Sequence, residues 1–148
     1  MLGSQYSKLI ERHSEELADG LVRKLQTSER TEAYREIHAE ELKEAELDIY
    51  QHLGEWLESK TEVEVHQRYT ELGRRRAQQG TPLAQVVWAM VISKEHLWTF
   101  LEREALADTA VQLVSELAFI LALEQFFDRA MYFTIAAYSE SVAHPQAA

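Results

Sequence analysis

Six histidines and twenty-five acidic residues are the side chains of this 148-residue chain best able to do chemistry. Two ligands on one helix reach the same metal ion only when they stand three or four residues apart, as in Glu-x-x-His pairs or the paired histidines of zinc proteases. Neither spacing occurs. Ile10, Arg35, Ile49, Val63 and Ser93 stand three residues before His13, His38, His52, His66 and His96, and Leu17, Leu42, Trp56, Thr70 and Phe100 stand four residues after them. A metal would need ligands converging from separate helices, and none is expected. Phosphotransfer helices carry an acid directly after the histidine, whereas His96-Leu97-Trp98 and His66-Gln67-Arg68 do not. With no cysteine, no Gly-x-Ser-x-Gly elbow and no phosphate loop, nucleophilic catalysis has no setting either. No catalytic residues are expected, and the chain reads as a non-enzyme.

His96 is the most suggestive single histidine. Ile92 and Phe100 lie one turn away on either side, with Trp98 close by and Trp88 two turns before, so His96, Trp88 and Trp98 could surround haem or another apolar cofactor. A lone histidine beside an apolar stripe is more commonly a partly buried side chain with a hydrogen-bond partner.

Charges interrupt the most apolar segment, Leu117 to Phe133, at Glu124, Asp128 and Arg129. Buried without partners, such charges would cost several kcal/mol each, on the order of the penalty for unpaired ions in protein interiors. Glu124 and Asp128 share a helix face, where like charges repel unless a cation intervenes; Arg75 or Arg76 could supply it. These residues read as a structural clamp or a switch. The only basic run, Arg74-Arg75-Arg76, fans over about 200° of helix and cannot grip one phosphate, so solvated, locally paired arginines are expected.

Helices must position all of these groups. The chain has only five Gly and two Pro, 46% hydrophobic residues and a formal charge of −10, a composition that predicts an all-α fold and makes binding to nucleic acid or an anionic membrane unfavourable. A basic protein partner would be attracted. Cysteine absence fits a cytoplasmic location, and the first residues, Met1-Leu2-Gly3-Ser4-Gln5-Tyr6, lack the form of a signal peptide. No apolar run reaches the roughly 20 residues that span a bilayer.

Apolar spacing predicts about five helices in a single bundle over residues 1–142, followed by a disordered tail at 143–148. The first runs from about Ser4 to Gln26, with Gly20 as a tolerated weak point; a break at Thr27 to Thr31 and a short turn near Ala33 to Ile37 lead to the second, about Ala39 to Ser59. A third starts at the Thr61-Glu62-Val63-Glu64 capping box and ends at Gln79. A fourth runs from Pro82 to about Glu104. The last, capped by Asp108 and reaching about Val142, would be roughly 50 Å long, more than the roughly 40 Å diameter of a compact chain of this size. It must kink or pair with another chain, and the all-round apolar character of Leu117–Phe133 suits either a central core helix or a dimer seam.

Gly80-Thr81-Pro82 forms the corner between the third and fourth helices: Gly80 can take positive φ, Thr81 can cap, and Pro82 suits the first helical position. Leu72-Gly73, Arg76-Ala77-Gln78-Gln79-Gly80-Thr81-Pro82-Leu83, Leu97-Trp98 and Phe127-Asp128-Arg129-Ala130-Met131-Tyr132 together resemble the N-terminal domain of the RsbT co-antagonist (RsbRD-type) family of bacterial signalling proteins. The similarity spans about Leu9 to Tyr138. It implies an all-helical domain that senses or dimerises and precedes an output module; the family supplies no catalytic or cofactor residues. This sequence ends at Ala148 without such a module, so the expected role is that of a fragment or a stand-alone regulator. Two functional readings follow: a noncatalytic signalling domain that forms a homodimer through its last helix and relays a signal by changed packing, or a globin-like sensor holding haem near His96.

Overall fold

The computed structural model describes residues 3–59, 62–104 and 110–144, with side chains described throughout except at 3–4, 58–59 and 110–116. These residues form an all-α bundle with no strand among them. They contain six α-helices: α1 Gly3–Arg12, α2 Ser14–Thr27, α3 Ala39–Ser59, α4 Val63–Gln78, α5 Leu83–Glu104 and α6 Ala110–Ala143, with a 3-10 segment, Glu29–Glu36, between α2 and α3. Seven helical elements thus replace the five expected.

The extra helix comes from a break in the first one. His13 adopts φ −104° and ψ 18°, which ends α1 and starts α2. Gly20, the tolerated weak point, lies inside α2, directly against the His96 ring. After α2, the Ser28 side chain accepts from the Arg30 N–H, and the buried Thr31 hydroxyl donates to the Leu25 carbonyl at 2.7 Å. Local side-chain bonds of this kind compete with a continuing α-helix. The expected break at 27–31 and the short turn expected near Ala33 to Ile37 thus form one run of 3-10 turns with a kink at Thr31.

α1 and α2 pack on α3, α5 packs on α2 and the 3-10 segment, and α4 lies along α6. Phe126 of α6 sits in the core between Trp56 of α3, stacked at 5.9 Å, and Tyr69 of α4, edge-on at 5.8 Å. Ile10, Leu21, Leu25, Leu42, Leu53, Leu97 and Leu123 are almost wholly buried around it. Such apolar burial supplies most of a helical bundle's stability, since short helices are marginal in water alone.

The corner turns on Gly80 as expected, whereas the Thr81 hydroxyl makes no capping bond among the described residues. Gly80 has φ +73°, its N–H donates to the Ala77 carbonyl, and the Thr81 N–H donates to the Arg76 carbonyl. That is a Schellman ending, in which a left-handed glycine satisfies carbonyls the helix leaves open. Pro82 stands one position earlier than expected: its carbonyl accepts from Val86 N–H and the helix begins at Leu83. The Thr61 and Asp108 caps fall outside the described residues.

α6 contains 34 residues without interruption, about 51 Å at 1.5 Å per residue. It includes Ala143, the first residue of the expected tail, and the His144 N–H still donates to Glu140. No helix among the described residues is long and apolar enough to cross a membrane.

Candidate functional site

The charges flagged on α6 separate in the structure. Glu124 is half-buried and faces α5, where Lys94 pairs with it at 2.7 Å and the Trp98 indole N–H donates to it at 3.0 Å. Its cation is Lys94, not an arginine of α4. Asp128 is exposed, and the exposed Arg129 turns to the start of α4, 2.5 Å from Glu62. Opposite charges on different helices thus tie α5 and α4 to α6, although exposed pairs of this sort contribute little stability.

Arg76 departs furthest from expectation. Far from solvated, it is 3% exposed. Its guanidinium lies over the Tyr34 ring at 5.4 Å, its Nη1 donates to Gln79 at 2.9 Å, and Glu41 is 3.8 Å away, while its Nε has no partner. Arg75 remains outside, beside Glu71 at 3.5 Å.

Around Arg76 the structure assembles a polar cluster that spacing along the chain did not predict. Glu46 of α3 lines a cleft of about 230 Å³ between α3 and α4, together with Ile49, Leu72 and Arg68. Burial pushes its carboxyl up to about 7, against the opposing pull of Arg76 and Arg68. Burial also raises the Tyr50 and Tyr69 phenols well above their ordinary value, with the nearby Glu46 adding to the effect. The Tyr34 phenol rises to about 12 for the same first reason, although Arg76 opposes it. The Tyr50 hydroxyl, inside the core, has no partner. A signal for this cluster existed: Glu46 occupies the stripe Leu42, Ile49, Leu53, and Arg76 the stripe Val65, Tyr69, Gly73. A charge at a core position on each of two neighbouring helices points to a buried polar joint.

The three residues considered for haem do not converge. His96 Nε2 bonds to the Leu17 carbonyl at 3.0 Å, an arrangement in which the ring N–H donates. Its ring packs on Gly20, where a β-carbon would come within 2.9 Å of Cε1. Burial, followed by the Lys24 charge, lowers its pKa and keeps it neutral. Trp88 lies instead under Arg30, 4.4 Å from the guanidinium, beside an open cleft lined by Lys24, Thr27 and Ile92. Trp98 points to Glu124 on α6. An axial ligand needs a free ring nitrogen facing the iron. His96 gives Nε2 to backbone and keeps a buried Nδ1 without a partner, but Trp88 and Trp98 face elsewhere, so the three residues do not line one haem pocket. Among the described residues no group of three or more His, Asp or Glu could hold a metal ion.

The other prominent feature is a face of α6. Leu117, Leu121, Tyr132 and Val142 are each more than half exposed. At about 100° per residue they fall within an arc of about 80°, which Asp128 and Ser139 share. Phe119, Leu123, Phe126, Phe127, Ala130 and Thr134 fill the opposite, buried face. Large apolar side chains aligned on a solvent face mark an interaction surface more often than scattered ones do.

No curated protein and no solved structure matches the chain. Residues 15–147 match the family model described as the RsbT co-antagonist protein rsbRD N-terminal domain, and the chain belongs to that family of regulatory signalling domains.

Proposed function

We propose that this chain is a noncatalytic cytoplasmic regulator that forms a homodimer through the exposed face of α6 and relays a signal by a change in helix packing. The apolar stripe Leu117, Leu121, Tyr132 and Val142, opposite a fully packed face, carries this reading. A helix with apolar residues on both sides has one face to bury against its own bundle and another for a second surface. A second copy presents the same stripe, and a twofold pair is the commonest way a surface buries itself. Asp128 and Ser139, within that stripe, would fix the register, as isolated polar residues do in helical seams.

The acidic surface favours a basic protein partner downstream and disfavours nucleic acid. Catalysis has no support in the site, since the buried titratable groups face one another across a helix joint. No cofactor is assigned to His96, Trp88 and Trp98.

Sedimentation equilibrium at micromolar concentration tests the pairing. A dimer that Leu121→Asp with Tyr132→Asp converts to a folded monomer supports it, and a wild-type monomer overturns it. The visible spectrum after mixing with haemin tests the cofactor assignment: a Soret shift that His96→Ala abolishes would contradict it.

A further inference from the structure

Glu46, half-buried on the open cleft between α3 and α4, stands where charged side chains of the two helices meet. Among the described residues it makes no hydrogen bond or ion pair, because both nearby cations are engaged elsewhere. Arg68 is paired with Asp48, and Arg76 is held by Gln79 and Glu41. Yet the Arg76 Nε has an N–H to give and no acceptor. From α4, Arg68, Tyr69 and Arg76 face Glu46, and from the next turn of α3, Tyr50 does. Tyr34 approaches from the 3-10 segment. The other charges on the cleft are Glu41, Glu44, Glu71 and Arg75; burial favours a proton on Glu46, against the pull of Arg76 and Arg68. The cleft is open, so that proton can exchange with water.

We propose that Glu46 and Arg76 form a proton-operated latch between α3 and α4: with Glu46 protonated, Arg76 stays with Gln79 and Glu41, and on release of the proton to solvent the guanidinium moves to the Glu46 carboxylate. An ionised carboxylate in this cleft needs a charge partner, and the Arg76 guanidinium, whose Nε–H has no acceptor, can supply one by turning toward it. Its movement takes a hydrogen bond from Gln79, the last residue before Gly80. That corner is fastened to α6, because the Tyr138 hydroxyl donates to the Thr81 carbonyl. Proton occupancy at Glu46 thus has a physical route to the helix whose outer face is proposed to pair. The two-position element is the Arg76 side chain, which gives the coupling a definite physical carrier.

The latch rests on the reading of this chain as a relay, and the two fail separately. The test follows Glu46 by its side-chain carboxyl carbon and Arg76 by its Nε–H resonance in NMR spectra of the wild-type chain, from about pH 5 to about pH 9. The expected result is a Glu46 midpoint at about 7, an Arg76 resonance that shifts with the same midpoint, and an E46Q variant that keeps the acid-form Arg76 resonance throughout. A Glu46 midpoint near the ordinary 4.5, or an Arg76 resonance indifferent to it, overturns the latch. The wild-type titration requires no variant, so it decides for or against the latch even where E46Q misfolds. A chain that stays monomeric while Arg76 follows Glu46 supports the latch and removes the pairing through α6.

Discussion

Gly73 of α4 lies against the Thr134 backbone of α6 so closely that a β-carbon built on it would collide with the Thr134 carbonyl oxygen and crowd the Ala137 side chain. Backbone cannot give way as a flexible side chain can, so α4 and α6 cross at this distance only because residue 73 is glycine. Gly73→Ala should therefore push the helices apart despite its better helix propensity. The expected cost is about 3 kcal/mol, the upper part of the range for overpacked cores, read as a lower denaturant midpoint. An alanine variant as stable as the wild type would disprove the close crossing.

The corner offers two smaller and separable effects. At Gly80 an added β-carbon meets nothing within 4 Å, so only the positive φ opposes it. Gly80→Ala should cost about 1 to 2 kcal/mol, the left-handed penalty for a side chain. Tyr138→Phe removes the hydroxyl that anchors Thr81 and should cost about 1 kcal/mol. Both bear on one turn, and the double variant should fall short of the sum if Tyr138 acts by fixing Gly80. Urea unfolding of the four proteins measures this directly.

Glu46 and His96 pull stability in opposite directions as pH falls below neutrality. Glu46 rises from 4.5 to about 7 on folding, so between those values the folded chain keeps a proton that the unfolded chain has lost. That contribution is complete below about pH 4.5 and disappears as pH rises through about 7. Glu46→Gln should remove the loss of stability between about pH 4.5 and about pH 7, up to about 3 kcal/mol, the equivalent of the shift at about 1.4 kcal/mol per pH unit. His96 goes the other way: burial lowers it from 6.5, so the unfolded chain takes up a proton first and stability drops as pH falls below that value. Denaturant midpoints measured across the range should show E46Q changing the slope between about pH 4.5 and about pH 7 and leaving the slope above about pH 7 unchanged.

Leu121 and Tyr132 are 60% and 68% exposed. Replacing either with aspartate should leave the unfolding free energy of dilute monomer within about 0.5 kcal/mol, as for surface substitutions generally. If the stripe is a seam, the same variants make the melting temperature independent of protein concentration, because association no longer contributes by mass action. Thermal melts over a hundredfold dilution series, on the order of two decades in the mass-action term, would show whether wild type has that dependence to lose.

The helical class, the Gly80-Thr81-Pro82 corner and the apolar stripes of α3, α5 and α6 follow from the sequence alone, because each depends on residues within a turn or two. The break at His13 escaped, and the turn expected near Ala33 to Ile37 begins earlier, at Glu29, because backbone bonds there compete on nearly equal terms and packing decides. The same holds for the sites. Spacing could place Glu124 and Asp128 on one face, but only the folded chain sets Lys94 and Trp98 beside Glu124 and leaves Asp128 in solvent. Sequence pattern could note a histidine between apolar neighbours; the bond from His96 to Leu17, 79 residues away, required the tertiary fold. Arg76 and Glu46 show the limit most clearly. Periodicity says that a position faces inward, whereas burial energy and the partners that make it tolerable come from other helices, whose approach no local pattern encodes.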